Sequence, residues 1–344
     1  MMSQPGFFDL QERYEELSFG GDPLVRLESV IDWKIFLPLL NRAFERERKS
    51  AAGRKPYPRL MMLKIVVLQG LYNLSDHQLE FQIRDRLSFM RFLGLSFENE
   101  IPDEKTIWAF REVLVKGRVM DKLFNRFNRA LEAKGFNALS GHMVDASIVE
   151  VPKQRNSRDE NKQIKQGEKP ESFEKNPHRD RQKDIQARWT IKGHTRYYGY
   201  KDHVIVDADY KLIRGYEVTH AAQGDVTMLE SLLDKLKEAG NRVWADAAYY
   251  SGAVEEMLKE KGFDSRIIKR FQTHQPEWSN EDRENKRRSK IRKRVEHVFG
   301  FMENSMGGKF IRSIGLDRAK QNIGLMNWVY NLCRYEQLCR IGTS

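Results

Sequence analysis

The chain has 344 residues, more than a typical single domain, so two or more folding units are expected. Hydrophobic residues make up 40% of it, which supports a packed core and excludes a disordered polymer. The formal net charge of +11 makes nucleic acid the leading partner class, although a merely basic soluble protein would carry the same charge.

Residues 1–53 are predicted to form an N-terminal arm with one or two short helices. Apolar residues recur with helical spacing between positions 32 and 44, which predicts one of them. The arm leads into a basic segment, residues 53–59. Pro56 and Pro58 should keep this segment out of a helix.

Residues 54–136 carry helical periodicity almost throughout. The run 60–68 is apolar nearly all round and should be buried, and Ser75 begins a capping-box pattern that opens the next helix. Two more helices are predicted at about 102–114 and 120–134. This pattern is compatible with a helix-turn-helix-like DNA-binding domain, although compact helical units also occur without a role in DNA binding.

Residues 137–336 show a different pattern, in which strands alternate with helices. Strand-like runs lie at 142–149, 198–207, 212–218, 242–245 and 266–268. Helices are predicted at 225–240, with Asp225 as N-cap, at 251–261 and at 285–304. This order predicts a mixed α/β sheet. The highly charged stretch 153–192 is expected to be a flexible loop inserted between strands, and residues 337–344 a C-terminal tail.

Three carboxylates stand out in this pattern. Asp145 and Asp246 each end an apolar, strand-like run, and Glu296 lies in the middle of a helix rich in Lys and Arg. Oxygen ligands suit Mg²⁺, and two such ions can hold the attacking and leaving oxygens of a phosphodiester. Taken singly, each residue has a simpler explanation, as a turn residue or a solvated ion-pair partner. The three together, in a basic protein, predict DNA strand chemistry.

A sheet like that of ribonuclease H would bring these residues together. Its first and fourth strands adjoin, which would place Asp145 beside Asp246, and the last helix would bring Glu296 from the side. The apolar face of that helix comprises Ile291, Val295, Val298 and Met302. Glu296 lies at the edge of this face. Arg292 lies one turn before Glu296, where it can pair with the carboxylate or with a DNA phosphate.

Basic residues predicted to contact DNA lie beside Glu296, on the second predicted strand and after the N-terminal arm. They are Arg288, Lys290, Arg292, Lys293, Arg294, Lys201, Arg54 and Lys55. Around Glu296, a solvated helix face or a nuclear-localisation-like patch would show the same composition. Contact with phosphates predicts binding that weakens steeply with salt.

The two cysteines, Cys333 and Cys339, have neither the number nor the spacing of a zinc site or a disulfide framework, which fits a reducing cytosol. Apolar runs such as 65–68 are far too short to span a membrane. The first residues carry no charged-then-apolar signal pattern. A cytoplasmic protein with no membrane partner is therefore expected.

Several motifs resemble the DDE transposases of bacterial insertion sequences, in the group named after insertion sequence five and related to the insertion-sequence-four superfamily. In chain order they are Val144-Asp145-Ala146-Ser147, Tyr200-Lys201-Asp202-His203, His220-Ala221-Ala222-Gln223-Gly224-Asp225, Ala245-Asp246-Ala247-Ala248-Tyr249 and Arg292-Lys293-Arg294-Val295-Glu296. The opening residues 4–9 and the block 76–95 are also similar to the N-terminal region of that group. Each motif alone is a weak signal, but the ordered set is specific.

The resemblance implies a ribonuclease H-like catalytic domain in which Asp145, Asp246 and Glu296 are catalytic and bind two Mg²⁺ ions, for which Mn²⁺ can substitute. It also implies double-stranded DNA as partner, both the element's terminal inverted repeats and target DNA, with a homodimer in the active complex at the bacterial nucleoid. Related groups carry Tyr and Lys where this chain has Ser289 and Glu303, a departure that affects the expected contacts with the element's terminal nucleotides.

The function expected from the sequence is therefore transposition. Such an enzyme would cleave DNA at the ends of its element and join the 3′-hydroxyls to target DNA. Two alternatives remain open: a metal-dependent nuclease that cleaves without joining, and a sequence-specific DNA-binding protein without catalysis.

Overall fold

The computed structural model describes residues 9–45, 55–236, 241–269 and 280–342. Two compact units divide the chain: a helical unit, Met1–Ala130 with Asn331–Ser344, and a sheet unit, Leu131–Tyr330. No helix in the described ranges is long and apolar enough to cross a membrane.

The helical unit contains no strand among its described residues. Its first helices are α1 (Asp9–Phe19), α2 (Pro23–Val30), α3 (Leu37–Ala43), α4 (Arg59–Tyr72), α5 (Asp76–Asp85), α6 (Leu87–Leu93), α7 (Glu104–Lys116) and α8 (Val119–Ala133), with a 3-10 turn at Trp33–Phe36. The helical region predicted before the sheet is confirmed, whereas its role in DNA binding stays a prediction.

Local sequence explains where these helices begin and end. Residues 61–68 of α4 are buried except for Lys64, as the apolar run predicted, and the helix ends at Asn73 in the left-handed conformation (φ 49°). At the start of α5, Ser75 Oγ accepts a hydrogen bond from the Gln78 amide at 3.2 Å, and Gln78 Oε1 accepts one from the Ser75 amide at 3.0 Å. The predicted capping box is therefore present.

The sheet unit combines strands and helices in one layered fold. Its strands are β1 (Gly141–Glu150), β2 (Arg188–Lys192), β3 (Thr195–Asp207), β4 (Ile213–His220), β5 (Arg242–Trp244) and β6 (Asp264–Ser265). Its helices are α9 (Arg158–Lys165), α10 (Glu171–Glu174), α11 (Pro177–Asp180), α12 (Leu229–Leu233), α13 (Gly252–Glu260), α14 (Asn280–Arg292), α15 (Arg294–Met306) and α16 (Leu316–Arg340), the last of which continues into the helical unit.

The sheet has the strand order of ribonuclease H. β1 pairs antiparallel with β3, which pairs antiparallel with β4, while β1 is parallel to β5 and β5 to β6. The order β4-β3-β1-β5-β6 confirms the predicted fold class. β2 forms an additional hairpin with the first half of β3.

Gly141 permits the close approach of β1 to β5. Its φ is +124°, and a β-carbon at this position would lie 2.3 Å from the carbonyl oxygen of Arg242. Only glycine avoids both the strain and the collision. A buried apolar cluster that includes Val144 and Val243 then packs against α12 and α13.

The prediction that residues 153–192 form a loop is wrong. The insertion contains α9, α10, α11 and β2, and it buries Ile164 and Phe173. High charge concealed these apolar anchors, which are too few to show a periodic pattern.

Two helix predictions also needed correction. The helix expected at 285–304 is divided into α14 and α15, with the break at Lys293. The helix expected at 225–240 is the shorter α12, preceded by a 3-10 turn at Val226–Met228, and Gly240 lies outside the described residues. Asp225 makes no capping hydrogen bond.

Candidate active site

Asp145 and Asp246 occupy equivalent places on neighbouring strands. The last residue pair between β1 and β5 is Met143 with Trp244, and each aspartate lies two residues beyond it. Asp145 is still within β1, whereas Asp246 follows the end of β5. The Asp246 carboxylate accepts a hydrogen bond from the Ala248 amide at 2.9 Å and so caps a 3-10 turn. The predicted adjacency of these strands is confirmed.

Glu296 lies on α15, at the edge of the face that packs inward. Val295, Val298 and Met302 are buried, as the apolar face predicted, whereas Ile291 is only partly buried and belongs to α14. Both α14 and α15 contact β1. The Glu296 side chain is 56% exposed. Glu296 therefore lies on the solvent side of α15, which packs beside β1 as the sequence predicted for this helix.

Arg292 joins two of the three carboxylates. One terminal nitrogen, Nη2, donates to Asp145 Oδ2 at 2.8 Å, and the other, Nη1, donates to Glu296 Oε1 at 2.8 Å. Its side chain is only 18% exposed. The predicted pairing with Glu296 is present, but the pairing with Asp145, 147 positions away in sequence, had no local signal.

The electrostatics of Asp145 show which charges surround it. Burial raises the pKa of its carboxyl, while Arg292 and the hydrogen bond from the Ala146 amide oppose that rise. The Asp246 carboxylate raises the pKa further, and Lys192 lowers it. Asp246 and Lys192 therefore both lie within electrostatic reach of Asp145.

Tyr249 and Asp225 lie near the carboxylates, although neither was predicted to be a site residue. Tyr249 is 1% exposed, and among the described residues its hydroxyl has no hydrogen-bond partner. Burial raises its pKa, as do the carboxylates of Asp225, Asp145 and Asp246. The signal available in the sequence was that both residues lie within motifs of the resemblance.

Asp225 is held by a lysine on β3. Lys201 Nζ lies 2.8 Å from Asp225 Oδ1 and donates to the Gln223 carbonyl at 2.8 Å, and the lysine side chain is only 13% exposed. His203 is buried beside this pair, with Nε2 2.8 Å from Thr219 Oγ1. His203 therefore has a structural setting in the sheet.

The donor set suits a hard divalent cation. Carboxylate oxygens are the ligands that such ions prefer, and Asp145 and Glu296 already converge on one positive charge, the Arg292 guanidinium. The unpartnered Tyr249 hydroxyl is a further polar atom close to the carboxylates. However, no three His, Cys, Asp or Glu side chains in the described ranges form a ready-made metal site. Metal binding would therefore require these side chains to adjust.

The residues predicted to contact DNA lie in different settings. Lys55, Lys290 and Lys293 are exposed. Two others bind carbonyl groups: Arg288 donates to Ile267 at 2.8 Å, and Arg294 donates to Ala208 at 2.9 Å. Lys201 and Arg292 are mostly buried in the ion pairs described above, and Arg54 lies outside the described residues. Contact of any of them with DNA stays a prediction.

Comparison with known proteins adds an independent finding. Residues 139–332 match the family model described as Transposase DDE domain, and residues 11–113 match the one described as Transposase domain (DUF772). A solved structure, described as a cryo-EM structure of the piggyBac transposase synaptic complex with hairpin DNA, is similar at a TM-score of 0.45 and 10% identity, over 93% of this chain and 76% of that one.

Proposed function

The chain belongs to the transposase DDE domain family, whose model spans more than half of its length, and from this premise we propose that it catalyses transposition of an insertion sequence. It binds the terminal inverted repeats, cleaves at the element ends and joins the 3′-hydroxyls to target DNA. Asp145, Asp246 and Glu296 are its catalytic residues.

The observation that carries the proposal is the convergence of carboxylates from distant parts of the chain. Asp145 and Glu296 meet at one guanidinium, and Asp246 follows the strand next to that of Asp145. Mostly buried ion pairs contribute little net stability, because desolvation offsets their attraction. Clustered carboxylates in such a setting are therefore more easily explained by chemistry than by folding.

In the proposed mechanism, Asp145, Asp246 and Glu296 would hold the divalent ions, two being expected, with Mg²⁺ or Mn²⁺ suitable. When bound, such ions activate water and stabilise charge on the leaving oxygen. The chain itself supplies position and charge. β1 and the capped turn after β5 fix the two aspartates, while Arg292 and the exposed Lys290 and Lys293 would bind DNA phosphates.

The helical unit is proposed to bind the inverted repeats. The match of residues 11–113 to a transposase domain supports a role in transposition for this region. Arg54 and Lys55 precede α4 and would contact phosphates there. A homodimer is proposed for the active complex, because two element ends must be held together, and the site of action would be the bacterial nucleoid.

The test is cleavage and joining of labelled DNA that carries the sequence flanking this gene, in Mg²⁺ or Mn²⁺, resolved on a denaturing gel. Wild type should give site-specific nicks and joined products. Asp246→Asn keeps the shape of the side chain and removes a charge, so its rate should fall by more than about 100-fold, since even indirect support of a metal is worth 10- to 100-fold.

The matched control is Asp234→Asn, which changes an exposed aspartate paired with Lys261. Its products should equal those of wild type. Nicks without joined products would favour the nuclease alternative. Binding without cleavage in either metal would favour a non-catalytic DNA-binding protein and overturn the proposal.

A further inference from the structure

Arg292, Asp145 and Glu296 form a three-residue bridge that we call the Arg292 clasp. Its two hydrogen bonds, both 2.8 Å long, connect the end of α14 to β1 and to α15. The Asp145 side chain is 15% exposed and that of Arg292 18%, so this part of the clasp is shielded from water, whereas the Glu296 side chain is 56% exposed. Charge-assisted hydrogen bonds of this kind are stronger than neutral ones.

The clasp uses the oxygens that a metal ion would need. Asp145 Oδ2 and Glu296 Oε1 accept from Arg292, and Asp145 Oδ1 accepts from the Ala146 amide at 2.8 Å. Both oxygens of Asp145 are thus engaged. A divalent ion and the guanidinium would carry charge of the same sign to the same carboxylates, so their binding there should be competitive.

Little else holds the guanidinium in place. Its remaining nitrogen, Nε, is buried and has no hydrogen-bond partner in the described parts of the chain. Arg292 is also the last residue of α14, directly before the break at Lys293, whereas the buried face of α15 begins at Val295. The side chain can therefore move without disturbing the buried face of α15.

We propose that Arg292 is the counter-ion of the metal-free centre and exchanges places with the incoming metal. Released from the carboxylates, its guanidinium becomes available to a DNA phosphate, so metal loading and DNA binding reinforce each other. Arg292 is a positioning residue in the first state and a phosphate ligand in the second. The DNA half of this inference rests on the proposed function, whereas the metal half does not.

The first experiment measures metal binding alone. The wild-type protein and Arg292→Gln are titrated with Mn²⁺ in the absence of DNA by calorimetry, and the shift of the melting temperature with Mn²⁺ is recorded in parallel. Because the competitor is gone, Arg292→Gln should bind Mn²⁺ about tenfold more tightly, within the range usual for coupled sites. Arg292→Lys, which keeps the charge but not the two-pronged bridge, should fall between them.

Arg287→Gln is the matched control, since Arg287 is 81% exposed on the same helix and its loss removes an equal charge. Its Mn²⁺ affinity should stay within about twofold of wild type, as expected for an exposed charge screened by solvent. Weaker Mn²⁺ binding by Arg292→Gln, with its metal-free melting temperature unchanged, would mean that Arg292 only preorganises the carboxylates. An affinity equal to wild type would likewise overturn the inference.

The second experiment measures coupling. Affinity for the element-end DNA is compared in Ca²⁺ and in a chelator, for wild type and Arg292→Gln. Wild type should bind the DNA more tightly with the ion, and the variant should lose most of that gain in affinity.

The outcomes separate the inference from the proposed function. If wild type transposes but the variant binds Mn²⁺ no more tightly, the inference fails while the proposed function stands. If Mn²⁺ binds more tightly to the variant but no DNA is cut by wild type, the proposed function fails while the metal exchange stands.

Discussion

At the scale of single residues, Asp202 is a buried carboxyl for which the described part of the chain supplies no counter-ion. It is 2% exposed, and its carboxylate accepts a hydrogen bond from Asn327 Nδ2 at 3.0 Å. Burial raises its pKa to about 7, and the Asn327 amide opposes the rise only in part. The folded state therefore holds this proton at pH values where the unfolded chain has released it.

A carboxyl whose folded pKa is raised stabilises the fold below its unfolded pKa and loses that contribution as pH rises through the folded value. For Asp202 the loss runs from about pH 4 to about pH 7. Asp202→Asn, an uncharged isostere, should therefore leave stability almost unchanged at pH 4 and raise it by roughly 4 kcal/mol at pH 8, because each unit of pKa shift is worth about 1.4 kcal/mol. Urea unfolding across this pH range measures the difference.

Wild type and Asp202→Asn should share the decline below pH 6.5 that the buried His142 and His203 cause, because burial lowers their pKa values to about 4. An effect of Asp202→Asn that is equal at pH 5 and pH 8 would contradict the assignment of this charge.

At the scale of elements, one buried carboxylate links the insertion 153–192 to the sheet, in addition to the pairing of β2 with β3. Asp184 is 1% exposed and accepts four hydrogen bonds, from the amides of Gln186, Ala187 and Gly315 and from the Tyr200 hydroxyl. The Tyr198 hydroxyl donates to its carbonyl at 2.8 Å. These tyrosines therefore serve the docking of the insertion, in agreement with a packing role for aromatic residues on a strand.

Replacing Asp184 with Ala should release the insertion. Several donors would lose their buried acceptor, at a cost of about 3 kcal/mol. Limited trypsin digestion should then cut within the insertion at least about tenfold faster, because cleavage follows the population of the open form. Asp180→Ala, which removes a half-buried partner of Lys169, is the control and should be cut at the wild-type rate. Unchanged cleavage of Asp184→Ala would show that Ile164 and Phe173 hold the insertion without it.

At the scale of the whole molecule, the net charge of +11 favours DNA binding that weakens with salt, and the number of phosphate contacts sets how steeply it weakens. Each phosphate contact that is lost lowers the slope of log affinity against log salt by about 0.9. If Lys290 and Lys293 contact phosphates, Lys290→Gln and Lys293→Gln should each reduce the slope by roughly this amount. The slope is measured by fluorescence anisotropy with labelled duplex DNA at salt concentrations from about 50 to about 300 mM, a range over which binding to phosphates weakens strongly.

Lys175→Gln tests whether the loss of any exposed lysine lowers the salt dependence of DNA binding. Lys175 is exposed on the insertion and pairs with Glu171, so its loss should leave the slope unchanged if contacts are confined to the predicted surface. Equal effects of all three changes would indicate only a general attraction between the basic chain and DNA.

The sequence by itself predicted many of the local elements and singled out the three carboxylates as candidates. The capping box at Ser75, the strand that carries Asp145 and the apolar face beside Glu296 follow from periodicity and capping, which act between residues a few positions apart. The order of those elements was enough to predict the sheet that places Asp145 next to Asp246.

Only the tertiary structure decided which charges meet. Arg292 pairs with Asp145, 147 positions away in the sequence. Asp225 pairs with Lys201 instead of capping a helix as predicted. Asp184, in a stretch predicted to be a loop, accepts a hydrogen bond from the Gly315 amide. A charged side chain can pair with any opposite charge that folding brings near it, and its sequence neighbours do not specify which one. The partner of each of these residues is therefore decided by the tertiary structure, because burial removes water as an alternative hydrogen-bond partner.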